Sequence, residues 1–402
     1  MPAFYKEFFY KARLSLMGKM ITKPQPKPLL YLGADSNKQL CKTISQFGVK
    51  NILIVTDKPL VELGVVASTL DALSEYGVQT QVYDGVLPDP TRKVVNEGIA
   101  MLRANSCDSV LAFGGGSSID AAKVIALAGA NNYEAKDCEG VGKAKLPALP
   151  FFAIPTTAGT GSEATFIAVI SDDETHQKGA VIDPSIIPKA AALDPIIMQG
   201  LPPHITAATG MDALTHAIES YIGIWETDET NYYGLASSKL VFDNLAKACS
   251  NGEDLAAREA MALASFYGGM AITNALVGYV HAISHNLGAR YSIPHGLGNA
   301  MVLPHVLEKL KAVSAKKMAE IAVNAQLGEK GESDSALAQK LIDKVWALNA
   351  EIGIPKTTDV IKEEDIESLV DAALKEGSTY PTPRFFEREE CREILQSLRA
   401  SQ

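Results

Sequence analysis

Short apolar runs alternate with amphipathic stretches between about residue 30 and residue 200. Four runs are typical of buried strands, namely NILIVT, QTQVY, SVLAF and PFFAI, which begin at positions 51, 79, 109 and 150. Stretches with helical spacing lie between them, at 60–76 and 91–105 for example. Strands that alternate with helices predict a parallel α/β sheet, and its ligand should bind at the carboxyl ends of the strands.

The pattern changes near residue 200. Strand-like runs nearly disappear, and Ala-rich stretches with helical spacing follow at 255–276 and 333–352. The Pro-containing segment from Asp194 to Pro203 marks the change. The sequence therefore predicts an N-terminal extension and linker over 1–28, an α/β domain over 29–199 and an all-α domain over 200–402.

The N-terminal extension differs in composition from the rest of the chain. It is aromatic and basic from Phe4 to Met20, and Lys-Pro pairs follow up to Pro28. It contains no long apolar core and no clear cleavage site with small residues, so we do not expect a secretory signal. We expect a surface helix and a stiff Pro-rich linker, with an organelle transit peptide as the alternative.

Composition and charge narrow the classes of function. The chain has 402 residues, of which 47% are hydrophobic and 21% charged, as in folded globular proteins. No apolar run reaches the roughly 18–20 residues that cross a bilayer. A net charge of −10 argues against nucleic acid as a partner. Five scattered cysteines without a Cys-x-x-Cys pair fit a reducing cytosol, so we expect a cytoplasmic protein.

A glycine-rich turn follows the third apolar run. It consists of Gly114, Gly115, Gly116, Ser117 and Ser118. Glycines let a backbone approach a phosphate, and the N–H groups at the start of a helix attract the anion. A tight turn between a strand and a helix would have the same glycines, so the turn by itself leaves both interpretations open. Its spacing is not the G-x-G-x-x-G fingerprint of most dinucleotide sites.

An acidic residue, Asp57, ends the first predicted strand. A carboxylate at that position can accept hydrogen bonds from a ribose diol and would repel an additional phosphate, which favours NAD over NADP. It can equally cap the helix that follows.

A second polar loop, TTAGTGSE at 156–163, follows the fourth run. Its hydroxyls and bare backbone suit a phosphate or a nicotinamide. Thr160 and Glu163 also have the spacing of a capping box, so an ordinary capped helix start is the alternative, and both interpretations can hold together.

Six of the seven histidines lie in the C-terminal half of the chain. Asp212 and His216 are four residues apart, which places them on one face of a helix, and His281 and His285 repeat this spacing. His295 follows between a proline and a glycine. Three imidazoles and one carboxylate suit a first-row divalent metal that acts as a Lewis acid. Each residue alone is as easily a core, cap or surface residue, so the hypothesis depends on the whole set.

These segments together resemble a known family. GGGSSIDAAK, PTTAGTGSE, TGMDALTHAIESY and GYVHAISHNLGARYSIPHGLGNAMVLPHV are similar, in this order, to segments of the iron-containing alcohol dehydrogenases. The likeness runs from about Leu30 to the C-terminus. It implies an α/β N-terminal dinucleotide-binding domain and an all-α C-terminal metal-binding domain, of the dehydroquinate synthase-like fold class.

The resemblance also implies an activity and its cofactors. We expect an enzyme that transfers a hydride between a small primary alcohol or diol and NAD, as a homodimer or higher homo-oligomer with no membrane partner. Iron(II) is the ion that the family implies, although the same donors would accept zinc.

The residue roles that the resemblance implies fall into three groups. The metal ligands are Asp212, His216, His281 and His295, and the catalytic residue is His285, a histidine near the substrate that relays a proton. The cofactor contacts are Asp57, Asp89, Gly114, Gly115, Gly116, Ser117, Ser118, Thr156, Thr157, Thr160, Lys178 and Leu201. Many relatives have Ala in place of Gly161 and Asn in place of Asp89, and the added negative charge of Asp89 favours NAD.

Two other interpretations stay open. One is a related enzyme, either a glycerol dehydrogenase or a metal- and NAD-dependent lyase similar to dehydroquinate synthase. Such a lyase should have more Lys and Arg near its site than these segments contain. The other is a non-catalytic nucleotide-binding protein whose histidines only pack, and such a protein would contain no stoichiometric metal.

Overall fold

The computed structural model describes Leu14, Gly18 and residues 22–175 and 177–400. The predicted surface helix between Phe4 and Met20 lies outside the described residues, apart from those two positions.

The chain forms two compact units. The α/β unit comprises Gln25–Leu201 and Gly252–Gly269, and the helical unit comprises Met1–Pro24, Pro202–Asn251 and Met270–Gln402. The units are therefore not continuous in sequence, because one segment beyond residue 200 packs with the α/β residues. The predicted domain boundaries at 28 and 199 stay a prediction.

A six-stranded parallel sheet forms the centre of the α/β unit, with the strand order β1-β9-β6-β4-β2-β3. A second, three-stranded sheet has the order β5-β8-β7. The strands are β1 (Leu29–Leu32), β2 (Asn51–Val55), β3 (Gln79–Tyr83), β4 (Ser109–Gly114), β5 (Gly140–Val141), β6 (Phe151–Pro155), β7 (Ile167–Ser171), β8 (Lys178–Ile182) and β9 (Ala190–Leu193). The four strands predicted from apolar runs correspond to β2, β3, β4 and β6, and the predicted parallel α/β fold class is confirmed.

The central strands are apolar on both faces because each face is covered. Leu53 and Val55 of β2 enter one hydrophobic core, whereas Ile52 and Ile54 enter another. Successive side chains of a strand point to opposite faces, so a strand between two cores is a continuous apolar run. The helices of this part are α1 (Ser36–Gln46), α2 (Lys58–Glu62), α3 (Ala67–Glu75), α4 (Arg92–Ala104) and α5 (Gly116–Asn131).

The rest of the chain is helical, as its spacing predicts. Its helices are α6 (Pro203–Ile222), α7 (Asp228–Ser250), α8 (Leu255–Ala275), α9 (Tyr279–Tyr291), α10 (His295–Asn324), α11 (Asp334–Glu351), α12 (Ile366–Gly377) and α13 (Arg388–Ser397). Helix α6 packs against α7 and α10, and α10 also packs against α9 and α11. Among the described residues no single helix is both long and apolar enough to span a membrane, and only the sharply bent pair α8 and α9 meets these criteria when taken together.

The loop after β6 packs backbone to backbone on α8 within the α/β unit. Gly161 has a φ of +58°, and its N–H donates to Ser265 Oγ at 3.1 Å. A Cβ at Gly161 would lie 2.5 Å from the Ser265 carbonyl oxygen and 2.6 Å from the Gly269 Cα. Both the left-handed backbone and the close approach therefore require glycine at this position.

We expect Gly161→Ala to destabilise the protein. A non-glycine residue at positive φ costs about 1–3 kcal/mol, and an overpacked contact costs a similar amount, so the free energy of unfolding should fall by about 2–4 kcal/mol. Urea denaturation measures the change. Gly200→Ala is the matched control because a Cβ at Gly200 meets nothing within 4 Å. Equal stabilities of the two variants would contradict the assignment.

Candidate metal centre and cofactor loops

Three helices bring the four predicted metal ligands together in the helical unit. Helix α6 contributes Asp212 and His216, α9 contributes His281, and α10 begins with His295. One ligand atom from each residue lies within 4.8 Å of the others. The three histidine Nε2 atoms lie 3.7, 3.8 and 3.3 Å from Asp212 Oδ1. Ligands about 2.0–2.2 Å from a tetrahedral ion are separated by about 3.4 Å, so this donor set fits a divalent metal.

The burial of the four side chains is unequal. Asp212, His216 and His281 are buried, whereas the side chain of His295 is 32% exposed. A catalytic metal site must admit a substrate on one side, in contrast to a closed structural site. The exposed His295 marks such a side in this group.

The protonation states of Asp212 and His281 also favour the binding of a cation. Burial alone would raise the pKa of Asp212, but His216, His295 and His281 hold it well below its usual value. Burial, followed by the neighbouring histidines His216 and His295, lowers the pKa of His281 well below its usual value. Asp212 is therefore a carboxylate and His281 a neutral imidazole, which are the forms that bind metals.

A second carboxylate, that of Glu219, contacts the Nδ1 side of the His281 ring. Its Oε2 lies 2.6 Å from His281 Nδ1, and it accepts the N–H groups of Gly278 at 2.8 Å and Val280 at 2.7 Å. Burial raises the pKa of this carboxyl group, and the backbone N–H groups that it accepts oppose the shift. A carboxylate on Nδ1 fixes the ring so that Nε2 faces the ligand group. The sequence analysis missed Glu219, although its spacing of seven residues from Asp212 places both on one face of α6.

His285 lies beside the four-residue group and is not part of it. Its ring stacks on that of His295 with centroids 5.0 Å apart, and its side chain is 28% exposed. Its Nδ1 lies 2.6 Å from Glu376 Oε1, which also accepts the Tyr380 hydroxyl at 2.8 Å. No local pattern indicates Glu376, because 91 positions separate it from His285.

The two predicted cofactor loops are adjacent in the α/β unit. Helix α5 begins at Gly116 with Gly115 as its N-cap, directly after β4. A Cβ at Gly116 would lie 2.6 Å from Thr160 Cγ2, and one at Gly115 would lie 3.4 Å from Thr157. The glycine turn and the TTAGTGSE loop therefore form one surface at the carboxyl ends of β4 and β6, where the sequence analysis expects a ligand.

Two residues of α5 tie these loops together. Lys123 is fully buried and donates to Ser162 Oγ at 2.9 Å and Thr165 Oγ1 at 2.8 Å. Asp120 accepts from Ser162 Oγ at 2.6 Å and from the Val169 N–H at 2.9 Å. Burial lowers the pKa of Lys123 to about 8. The sequence analysis did not assign either residue, although both lie in the quoted segment GGGSSIDAAK.

The capping box that the spacing of Thr160 and Glu163 allows does not form. The turn that follows, Ser162–Ala164, is a short 3₁₀ helix whose N-cap is Gly161. Thr160 Oγ1 instead accepts the Ser162 N–H at 3.2 Å. The left-handed backbone of Gly161 starts the helical turn one residue later than the spacing suggests.

Four other predicted cofactor residues have structural partners of their own. Asp57 caps α2 by accepting the Leu60 N–H at 3.0 Å, so the capping that the sequence allowed is present. Lys178 Nζ lies 2.8 Å from Asp89 Oδ1, so these two predicted cofactor residues form an ion pair with each other. The Leu201 carbonyl accepts a hydrogen bond of 3.0 Å from a buried arginine. Their cofactor roles stay predictions.

Comparisons with known proteins agree with this arrangement. Residues 28–195 match the family model for iron-containing alcohol dehydrogenase, and residues 206–399 match the model for the C-terminal part of the Fe-containing alcohol dehydrogenase family. Alcohol dehydrogenase 4 of Schizosaccharomyces pombe is 40% identical over 350 residues, which cover 85% of this chain and 81% of the relative. NAD-dependent methanol dehydrogenase of Bacillus methanolicus is 37% identical over 372 residues, which cover 92% of this chain and 98% of that relative.

A solved structure supports the same assignment. The crystal structure of a 1,3-propanediol oxidoreductase matches with a TM-score of 0.89 at 36% identity. The match covers 93% of this chain and 98% of the oxidoreductase chain. The fold and relatives define an oxidoreductase that interconverts alcohols and aldehydes. The chain belongs to the iron-containing alcohol dehydrogenase family.

Glu163, in the second loop, is a buried carboxyl group. Burial raises its pKa from 4.5 to about 7, and Lys123 opposes this shift only in part. Between pH 4.5 and 7 the unfolded chain therefore releases a proton that the folded chain retains, so stability falls as the pH rises through this window. Below it both states are protonated, and above it the contribution is constant.

We expect Glu163→Gln to remove this contribution. The wild-type free energy of unfolding should fall by up to about 3 kcal/mol between pH 4.5 and 7 relative to that of the variant. Urea denaturation at a series of pH values measures the difference. The exposed Glu75→Gln is the control and should follow the wild type. Parallel curves for wild type and Glu163→Gln would show that Glu163 is ionised throughout.

Proposed function

We propose that the chain is a metal-dependent alcohol dehydrogenase and aldehyde reductase that transfers a hydride between a small primary alcohol or diol and NAD. The four-residue group of one carboxylate and three imidazoles in the helical unit is the observation that supports this proposal most directly. Family membership excludes the non-catalytic interpretation. The ion is iron(II), with zinc as the alternative.

The metal would be held by Asp212, His216, His281 and His295. An ion bound there supplies a Lewis acid for an alcohol or carbonyl oxygen, and the single negative charge of the donor set leaves it cationic. Asp212 contributes that charge, and Glu219 keeps His281 in the ligating orientation through its 2.6 Å contact to Nδ1.

His285 is the proton relay in this proposal. Glu376 holds Nδ1 at 2.6 Å, so Nε2 is the nitrogen through which His285 accepts the alcohol proton and passes it to solvent. In aldehyde reduction the same nitrogen returns the proton. His285 is not among the four residues whose ligand atoms converge, which supports the assignment of relay and ligand to different histidines.

The cofactor in this proposal lies on the two loops of the α/β unit. The N–H groups at the start of α5 would hold its diphosphate, and Asp57 would accept hydrogen bonds from the ribose hydroxyls. The methanol dehydrogenase relative is named as NAD-dependent, which supports NAD, and the 1,3-propanediol oxidoreductase supports a short diol as a substrate.

We also propose a cytoplasmic homodimer or higher homo-oligomer. Strand β1 lies at the edge of the central sheet and leaves Leu29 and Leu32 exposed. An unpaired edge with apolar side chains is a surface that proteins usually cover, which supports association of this chain with a copy of itself.

We expect His281→Ala and His295→Ala to lose both metal and activity. A Lewis acid contributes several kcal/mol to transition-state stabilisation, so kcat/KM for a C2–C4 alcohol should fall by at least about 100-fold. Elemental analysis of the purified proteins, loaded anaerobically with iron or zinc, measures the metal content. His305→Ala is the control, since His305 packs on Trp346 and is not among the four ligands. Full metal content and activity in the two ligand variants would refute the proposal.

We expect Asp57→Asn to relax the preference for NAD. Asparagine retains an oxygen that can cap α2, so the fold is preserved while the charge that repels a 2′-phosphate is removed. The ratio of kcat/KM for NADP to that for NAD should rise by at least about tenfold, which corresponds to about 1.4 kcal/mol. An unchanged ratio, with unchanged stability, would mean that Asp57 only caps the helix.

A further inference from the structure

A fully buried asparagine, Asn299, lies one helical turn after His295 on α10. None of the roles derived above includes it. A buried primary amide has two donors and one acceptor oxygen, and each of these needs a partner because an unsatisfied buried polar group is costly.

The amide of Asn299 finds its partners among the candidate metal ligands. Its Nδ2 lies 2.7 Å from Asp212 Oδ1, 3.2 Å from His281 Nε2 and 3.2 Å from His295 Nε2. The two amide protons are therefore directed at three of the four atoms that would bind the ion. This pattern differs from that of Glu219, which touches a ligand histidine only on the opposite nitrogen.

The orientation of this amide is determined by its surroundings. With the amide turned over, Asn299 Oδ1 would face the Asp212 carboxylate at 2.7 Å, and two acceptors would repel each other. On its other side Oδ1 accepts the hydroxyl of the buried Ser284, a residue of α9. The amide thus links α6, α9 and α10, the three helices that supply the ligands.

We propose that Asn299 is a positioning residue of the metal centre, with Ser284 as its anchor. This inference rests on the proposed metal site. One N–H of Asn299 holds the Asp212 carboxylate in place, and the other is shared by the lone pairs of His281 and His295. Three of the four ligand atoms are therefore held close together before any ion arrives. The N–H shared by the two histidines is released when the ion takes their lone pairs, whereas the bond to Asp212 can remain, so less rearrangement of the side chains opposes binding.

The bond to Asp212 has a second consequence. A carboxylate that donates electron density to an N–H has less to give to a cation, and hydrogen bonds of this kind to ligating carboxylates tune bound metals. Loss of the amide should therefore change both the affinity for the ion and the ligand field at the site. A residue with a purely structural role would change stability without changing the ligand field.

Cobalt(II) titration of the metal-free protein tests the proposal. The full chain is stripped with a chelator and titrated anaerobically, with the visible d–d absorption as the readout and a competing chelator to measure affinity. The variants are Asn299→Ala, which removes the amide, and Ser284→Ala, which removes only its anchor. Asn349→Ala is the matched control, because Asn349 of α11 is buried and its amide donates to the carbonyl of Ala300, the residue after Asn299 on α10.

We expect the wild type to bind one cobalt ion per chain. Asn299→Ala should bind it about 10–100-fold more weakly and with shifted bands, the size of effect usual for residues that support metal ligands. Ser284→Ala should weaken binding by a smaller factor, and Asn349→Ala should keep wild-type affinity and bands even if its melting temperature falls.

The outcomes separate this inference from the proposed function. If the wild type binds no cobalt, the proposed metal site and this inference both fail. If the wild type binds cobalt and Asn299→Ala binds it equally tightly with the same bands, this inference alone fails. Should Asn299→Ala not fold, wild-type affinity and bands in Ser284→Ala would overturn the inference in the same way.

Discussion

One ionised carboxylate in the core of the helical unit is the constraint on which this molecule depends. Asp212 is buried, and the surrounding imidazoles and the Asn299 amide stabilise its charge there. An isolated charge in such a core would be too costly to maintain, whereas a carboxylate facing several nitrogen donors is a binding site for a cation. The three helices that meet at Asp212 therefore pack around a polar centre as well as an apolar core.

The polar contacts around Asp212 form two layers. His216, His281 and His295 face it directly, and their outer partners fix how they do so. Glu219 holds the far side of His281, and Asn299 reaches between the ligand atoms themselves. Such outer partners orient ligands and hold them in one protonation state. The same arrangement, a carboxylate on Nδ1, recurs at His285, which lies outside the four-residue group.

In the α/β unit, the arrangement of the two candidate cofactor loops depends on close contact between backbone segments and not on a buried charge. The glycine turn and the loop at 156–163 approach each other closely enough that Gly116 lies against Thr160, and Gly161 lies against Gly269 of the segment 252–269. Side chains at these glycines would separate elements that must touch. Asp120 and Lys123 connect the two loops by hydrogen bonds from the interior of the unit. These bonds stabilise the surface that we propose as the cofactor site.

The sequence by itself determined the fold class and the strands β2, β3, β4 and β6, because apolar runs are local signals. The candidate ligand set came from the resemblance of the histidine segments to a family. It did not predict β1, β9 or the three-stranded sheet, whose strands are short and whose pairing partners are far along the chain. Only the tertiary structure decided the grouping of 252–269 with the α/β residues, the requirement for glycine at Gly161 and the contacts of Glu219, Glu376 and Asn299. These depend on which helices and loops meet, and residues about 60 to 90 positions apart give no periodic signal of their meeting.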